Sequence, residues 1–586
     1  MRLLILTSVF IGLASLFAAP ADATRADART IAPFRLPDPR TDKMVDLNDG
    51  QASKAIVVLF LGTECPLNNE YLPELTRLHT TYSAKGVRFL GINSNRQDTP
   101  ARIAEHARRH ALPFPILKDA GNRIADQFAA KRTPEVFLLD ATRKVVYRGR
   151  IDDQFGIGYR RAGKPTRRDL ALALDELLAG KPINQPVTEA PGCLIARVKE
   201  TRPNGKITYT RHISRILQKH CQECHRPGQV GPMPLSTYDD AVAWADTIRE
   251  VIDDGRMPPW FADPAHGKWS NSRVLSKEEK QQVRTWIDEG MPQGQQRDMP
   301  EPRKFPTDWQ IGTPDVVLTM PRDYAIPAET PKGGVPYQYF SVPTNFKEDR
   351  WVVRAEARPG APEVVHHILV FIVPPGEVFR PDGPGNILCG MAPGDMPIVL
   401  EPGLAKKVPA GSRLLFQMHY TPNGKAQVDR SSVGLIFAKE PPRHRVLTRP
   451  ILNRWFMSRL VSIPPGAENF PLEAEHTFRD NIHIVAFMPH MHLRGKDFLY
   501  EAITPDGKKE TLLSVPRYNF YWQSVYRAEK PVPLKKGTRL RCLGHFDNSA
   551  KNPNNPDPTA RIFWGDQTWE EMLVGWIDYY VERDTP

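Results

Sequence analysis

The chain has 586 residues, 40% hydrophobic and 25% charged, an ordinary globular composition on a length that excludes a single hydrophobic core. Its 57 prolines favour loops and β-rich architecture over long helices. The net charge of +12 is spread along the sequence with no compact Lys/Arg tract, so nucleic-acid binding is not inferred.

Residues 1–23 read as a signal peptide. Arg2 supplies the positive end, Leu3 to Phe17 the apolar run, and Ala21-Asp22-Ala23 a small-x-small cleavage site. The alternative is an uncleaved anchor, although the apolar stretch is short for one. No later stretch is apolar enough to span a bilayer. The expected mature chain is therefore soluble, has no membrane span, and is periplasmic or secreted in an oxidising compartment.

Residues 30–186 alternate strands and helices. Ala55 to Leu61 is a buried strand leading into Gly62-Thr63-Glu64-Cys65-Pro66-Leu67-Asn68 and a helix from Asn69. Val87 to Ile92 is a strand, Ala101 to Ala111 a helix, Arg132 to Asp140 a turn into a strand, Lys144 to Tyr147 a strand, and Arg168 to Ala179 a closing helix. This pattern resembles the thioredoxin fold, in its redoxin branch. The resemblance puts Cys65 at the active-site position, where helix N-terminal amides lower a thiol pKa. It also makes Pro134, after Thr133, the family's cis-proline. Asn68 stands where a second cysteine is expected, so no local disulfide can close. Cys193, in Pro191-Gly192-Cys193-Leu194, lies just beyond the domain and can reach back. A Cys65–Cys193 disulfide, structural or redox-active, is the expectation.

Residues 205–297 centre on His220-Cys221-Gln222-Glu223-Cys224-His225. Cys-x-x-Cys-His is the attachment signature of a covalent c-type haem, with Cys221 and Cys224 as thioether links and His225 as an axial ligand. Cys-x-x-Cys alone would also fit zinc or thiol redox chemistry. Helices are expected over Ile213 to Lys219, Tyr238 to Asp254 and Ser276 to Glu289. The whole resembles a small all-α cytochrome c. Met257, in Arg256-Met257-Pro258-Pro259, is the expected distal ligand, with Met233, Met291 and His266 as alternatives.

A Pro-rich connector, Met299 to Pro306, precedes short apolar runs punctuated by Gly and Pro, the pattern of β-sandwiches. Four groups stand out: Val365-His366-His367-Ile368, Gln417-Met418-His419-Tyr420, Pro489-His490-Met491-His492, and Glu570-Glu571-Met572. Imidazoles with a thioether suit copper, whereas zinc more typically recruits Cys or a carboxylate. In a regular strand His490 and His492 face one side, but adjacent His366 and His367 face opposite sides. Both of the latter can serve as ligands only if their strand is twisted or bulged. In this order the motifs resemble the copper type II, ascorbate-dependent monooxygenases, the family of peptidylglycine α-hydroxylating and dopamine β-monooxygenases.

That resemblance implies two all-β jelly-roll-like lobes, 313–452 and 453–584. One copper would be held by His366, His367 and His419, and a second by His490, His492 and Met572. Family members pair a cysteine at the position of Cys542 with one just after the methionine ligand. Leu573 occupies that place, so this disulfide is not expected. Peptide-hydroxylating members bind a substrate carboxylate with an Arg, an Asn and a Tyr where this chain has Met488, Val574 and Trp576. These three describe an apolar pocket for a neutral or aromatic substrate. Arg494 is the one nearby cation that would restore carboxylate binding if the strand carrying the His pair continued to it. His444, His476, His483 and His545 lack ligand spacing and read as structural.

The reading as a whole is a dicopper monooxygenase with one haem c, acting on a small molecule with dioxygen and drawing on an external electron donor. The alternative is a non-catalytic or thiol-redox/electron-transfer protein with copper- and haem-binding modules.

Overall fold

The computed structural model describes residues 29–49, 53–156, 159–160, 164–229, 231–306, 308–331, 334–379, 387–392 and 397–582. The expected signal peptide lies outside the described residues. Among these residues no helix is long and apolar enough to cross a membrane. The chain divides into two compact units, one of residues up to 157 with 165–198, the other of 158–164 with 199 onward.

The first unit is thioredoxin-like. Ala55–Phe60, Val87–Asn93 and Ile116–Lys118 pair in parallel, and Glu135–Asp140 and Val145–Gly149 complete the sheet antiparallel. Every residue of Ala55–Phe60 is buried, as a strand covered on both faces requires. The first helix spans Pro66–Ser83 rather than starting at Asn69. Cys65 is its N-cap residue, and Pro66 sits at the first turn, where its missing N–H costs nothing. The Thr133–Pro134 bond is cis, as the resemblance implied.

In the second unit, residues 209–288 carry short helices, Tyr209–Ile213, Ser214–His220, Tyr238–Ala243, Ala245–Asp253 and Lys277–Asp288, joined by long irregular segments. The expected helix Tyr238–Asp254 is broken into Tyr238–Ala243 and Ala245–Asp253. Trp244, 4% exposed, leaves helical geometry at the junction, and its N–H closes the first helix on Asp240. The last helix, Lys277–Asp288, starts at a Ser276/Glu279 capping box.

The remainder is mostly β. One lobe stacks the four-strand sheet containing Gln338–Pro343, Arg413–Tyr420, Val365–Val373 and Ile387–Met391 on a sheet built around Arg350–Arg358 and Ser432–Phe437. The other packs Leu447–Leu452, Val574–Val581, Ile482–His490 and Tyr526–Leu534 over Phe470–Thr477, Arg539–Phe546, Gly495–Ile503 and Lys509–Val515. Leu447–Leu452 pairs with Val574–Val581, so the second lobe's sheet begins before residue 453.

Candidate metal centre and thiol site

His366 and His367 lie on Val365–Val373, and the partner strand Arg413–Tyr420 carries His419 directly opposite His367. The register slips between Val365 and His367, the bulge that the adjacent histidines required. It turns both rings to one side. The ligand atoms of His366, His367 and His419 lie within 4.8 Å of one another. The Nδ1 atoms of His366 and His367 are 3.3 Å apart, and the buried Nδ1 of His419 has no partner.

Burial pushes all three imidazoles down: His366 to about 4, His419 to about 3, His367 well below its usual value. They are neutral at pH 7 and carry free lone pairs, the state a cation needs. An orphaned buried nitrogen within a converging His set fits a metal ion, and three imidazoles fit copper.

The second set departs from the strand alternation expected for it. The strand Ile482–His490 ends at His490, so His492 lies in the following turn. The rings still meet, with centroids 5.2 Å apart. A residue outside the predicted set causes this. Glu571, fully buried, accepts the His492 amide at 2.9 Å and the Arg494 amide at 2.7 Å, taking the place of a neighbouring strand. Burial outweighs the Arg494 charge and raises this carboxyl to about 7.

His490 Nδ1 donates to Gln523 Oε1 at 2.7 Å, and His492 Nδ1 donates to the Glu570 carbonyl at 3.2 Å. Both Nε2 atoms are thereby left as ligands, the outer-shell arrangement typical of metal-binding histidines. Met572 follows Glu571 and lines the same cavity as His490 and His367. The Phe520 ring lies between the two sets, stacked on His366 at 5.4 Å and edge-on to His492 at 5.9 Å. Sequence reasoning missed Glu571, Gln523 and Phe520. Of these, only Glu571 lay within a recognised motif, Glu570-Glu571-Met572, where no role was given to it.

The cavity has a volume of about 380 Å³, and Met488, Val574 and Trp576 all line it. Arg494 does not. It is 1% exposed, with its guanidinium on Asn548 Oδ1 at 2.7 Å and the Trp569 carbonyl at 2.8 Å. The continuing strand that would have aimed it at substrate is absent, because the chain turns between His490 and Gly495. Two cations do line the cavity. Lys406 is bound to Thr448 and Asp578, and Arg527 to the Pro397 carbonyl. The histidines expected to be structural are packed against neighbours: His444 and His483 stack on Tyr580, His476 meets Phe478 edge-on, and His545 meets Asp497 at 2.6 Å. Cys542 is a buried thiol, and Leu573 is buried in the core.

In the helical region, His225 Nδ1 donates to the Met233 carbonyl at 3.1 Å, leaving Nε2 free. A Cβ on Gly231 would lie 2.8 Å from His225 Nδ1, so glycine lets the chain fold back over this ring. A fixed tautomer beside two half-buried cysteines fits an iron ligand next to thioether links. Met257 opens the segment that leaves for the second lobe. There Trp260 meets Tyr526 at 5.0 Å, and Trp269 meets Phe487 and Tyr526 at 5.8 and 5.7 Å.

In the first unit, Cys65 donates to the Thr133 carbonyl at 2.9 Å, and Cys193 pairs in register with Thr133. Sequence distance notwithstanding, the two cysteines meet. Burial raises the Cys65 pKa, but the Cys193 thiol and the amides of Cys193 and Asn68 outweigh it and bring it down to about 7, from 9.0. A depressed folded pKa contributes stability that is fully present above the unfolded value and lost as pH falls through the folded one. The reduced domain should therefore lose stability as pH drops from about 9 through about 7. Thiolate ultraviolet absorbance of the reduced protein should rise with a midpoint near 7, and Cys65→Ser should remove that step. A midpoint unchanged in the variant would assign the titration elsewhere.

Residues 28–148 match the model of the AhpC/TSA family, and residues 455–586 match that of the copper type II ascorbate-dependent monooxygenase, C-terminal domain. Over 104 residues the chain is 27% identical to "Thiol-disulfide oxidoreductase ResA" of Bacillus cereus, covering 18% of this chain and 58% of that protein. To the protein of the same name from Halalkalibacterium halodurans it is 28% identical over 94 residues, 16% of this chain and 52% of the other. The chain thus spans little more than half the length of these curated relatives. A crystal structure of an uncharacterized conserved protein from Geobacillus kaustophilus shares 32% identity over 30% of this chain and 93% of its own, with a TM-score of 0.27.

Proposed function

From a chain that carries a redoxin domain and a copper type II monooxygenase C-terminal domain, we propose an exported dicopper monooxygenase that hydroxylates a C–H bond of a small, neutral or aromatic molecule. The observation that carries the reading is the convergence of His366, His367 and His419 beside a cavity lined by His367, His490 and Met572. Copper bound by these residues supplies the reductive activation of dioxygen, in which C–H, O2, two electrons and two protons give C–OH and water.

The residues of the chain do the rest. His366 and His367 bring their Nδ1 atoms within 3.3 Å and His419 adds a buried, unpartnered Nδ1, while His490 and His492 are oriented through their own Nδ1 atoms by Gln523 and the Glu570 carbonyl. Glu571 fixes the turn that aims His492. Met488, Val574 and Trp576 exclude water and offer the substrate an apolar wall.

The substrate is not a carboxylate-terminated peptide. Burying a carboxylate without a cation costs several kcal/mol, on the order of 2–7 for an uncompensated polar group, and the cavity cations are already engaged. Offered to the reduced, copper-loaded protein, small aromatic or aliphatic amines and alcohols should consume dioxygen and yield hydroxylated product, and glycine-extended peptides should not. Efficient turnover of the peptides alone would refute the pocket assignment.

Cys221, Cys224 and His225, with Met257, would hold a c-type haem, which would supply one-electron transfer to the His sets. Such a haem would take its electrons from an external donor. The contact of Trp260 and Trp269 with Tyr526 and Phe487 supports this relay, since Phe487 lies on the strand that ends at His490. A donor in the same chain acts at high effective concentration. The pyridine haemochrome spectrum should show c-type bands, and Met257→Ala should shift the reduced spectrum and the potential. A spectrum without those bands would remove the haem from the scheme.

A further inference from the structure

Cys65 is 1% exposed because a strap, residues 191–196, lies across it. The strap is held along its length. Cys193 and Leu194 pair antiparallel with Thr133 and Arg132. Arg132 Nη1 donates to the Gly192 carbonyl at 2.7 Å, the Ile195 amide to the Lys131 carbonyl at 2.9 Å, and the Ala196 amide to Asn95 Oδ1 at 3.0 Å. Gly192 has φ of +118°, and a Cβ there would fall 2.2 Å from the Thr133 carbonyl oxygen. Only glycine lets the strap lie this close. The Cys193 thiol and amide then both hydrogen-bond to the Cys65 sulfur. Cys193 itself is half-buried, so it is the member of the pair that solvent reaches.

We propose that Cys65 and Cys193 form a reversible disulfide, making the strap a built-in second thiol for exchange with external disulfides. The redoxin helix supplies only one cysteine, with Asn68 where a local partner would stand, and the strap restores the pair from outside the helix.

The exchange balances as follows. The Cys193 thiolate attacks an external disulfide RS–SR; a Cys193–SR bond forms, the RS–SR bond breaks, and RS⁻ leaves. The Cys65 thiolate then attacks the Cys193 sulfur. The Cys65–Cys193 bond forms, the second RS⁻ departs, and both leaving groups take up the protons released by the two cysteines. Two protein thiols are oxidised and one external disulfide is reduced to two thiols. Cys65 is suited to the second step because it ionises near neutral pH.

The test uses the full chain, reduced, desalted and exposed to oxidised glutathione, followed by alkylation and peptide mapping. In the wild type, Cys65 and Cys193 should lose alkylation together, with loss of two hydrogens in mass and no retained glutathione, and dithiothreitol should restore both without denaturant. Cys65→Ser should instead keep glutathione on Cys193. Gly192→Ala leaves both thiols in place but lifts the strap, and should slow internal closure by at least ~10-fold, so that the glutathione adduct accumulates.

Three results would overturn the proposal: wild-type cysteines that stay alkylatable, a wild-type adduct as persistent as that of Cys65→Ser, or a disulfide reduced only after unfolding, which would make it a fixed staple. None of these readouts needs copper, haem or hydroxylation, so a failure here is distinct from a failure of the oxygenase reading.

Discussion

Replacing His490 by alanine should halve the copper content and lower hydroxylation by more than roughly 10³-fold, beyond the 10–100-fold typical of losing an outer-shell partner. The effect is large because His490 has no substitute. His492 is committed to the same centre through its Nε2, and Gln523, freed by the mutation, cannot supply an imidazole. The first His set should keep its metal, since His366, His367 and His419 are held by their own strand pair. In the same variant, haem reduced beforehand should stay reduced when oxygen and substrate are added. Metal analysis and haem absorbance check the two parts separately. Two coppers retained with normal turnover would remove His490 from the centre, and haem reoxidised at the wild-type rate would break the relay while leaving the copper assignment standing.

The second large effect is expected at Glu571, a residue that touches no substrate. Its two oxygens accept the amides of His492 and Arg494, and its charge faces the buried Arg494 guanidinium. Glu571→Ala orphans two buried amides, at a cost of about 1–3 kcal/mol for each, and removes one of the two carboxyls that face the Arg494 guanidinium. Glu571→Gln keeps one acceptor oxygen and should cost less in stability. In both variants the turn that aims His492 loosens, so affinity at the second copper should fall by roughly 10–100-fold while the first copper is retained. Denaturant unfolding and copper titration measure the two losses. Equal loss of both coppers would show that Glu571 supports the fold generally rather than one metal ligand.

The histidine motifs were legible because each is local. His-His, His-x-His and the Cys-x-x-Cys-His pentad announce themselves within a few residues, and the buried strand Ala55–Phe60 reads directly as an unbroken apolar run. The need for a bulge at His366-His367 also followed from the two-residue period of a strand. The same period failed at His490-His492, because it assumes the strand continues. Whether it continues depended on Glu571, about 80 residues away in sequence and fully buried beside it.

The sequence by itself determined the inventory: a redoxin core with one helix-borne cysteine, a haem-type signature, two His sets, and an apolar replacement at the places where a carboxylate would bind. Local spacing and side-chain chemistry suffice for the signatures and the His sets, while the redoxin core and the carboxylate positions are what the family resemblances imply. Only the tertiary structure decided which groups meet and which are already occupied. It turned Arg494 away from the cavity to satisfy Glu571 and Asn548, set Phe520 between the two His sets, ran Trp260 and Trp269 onto the strand and neighbour of His490, and laid Cys193 against Cys65. Each outcome turns on a buried polar group or an aromatic face finding a partner far away in the chain. Such pairings are set by the cost of leaving that group unsatisfied in the folded interior, and no local pattern encodes it.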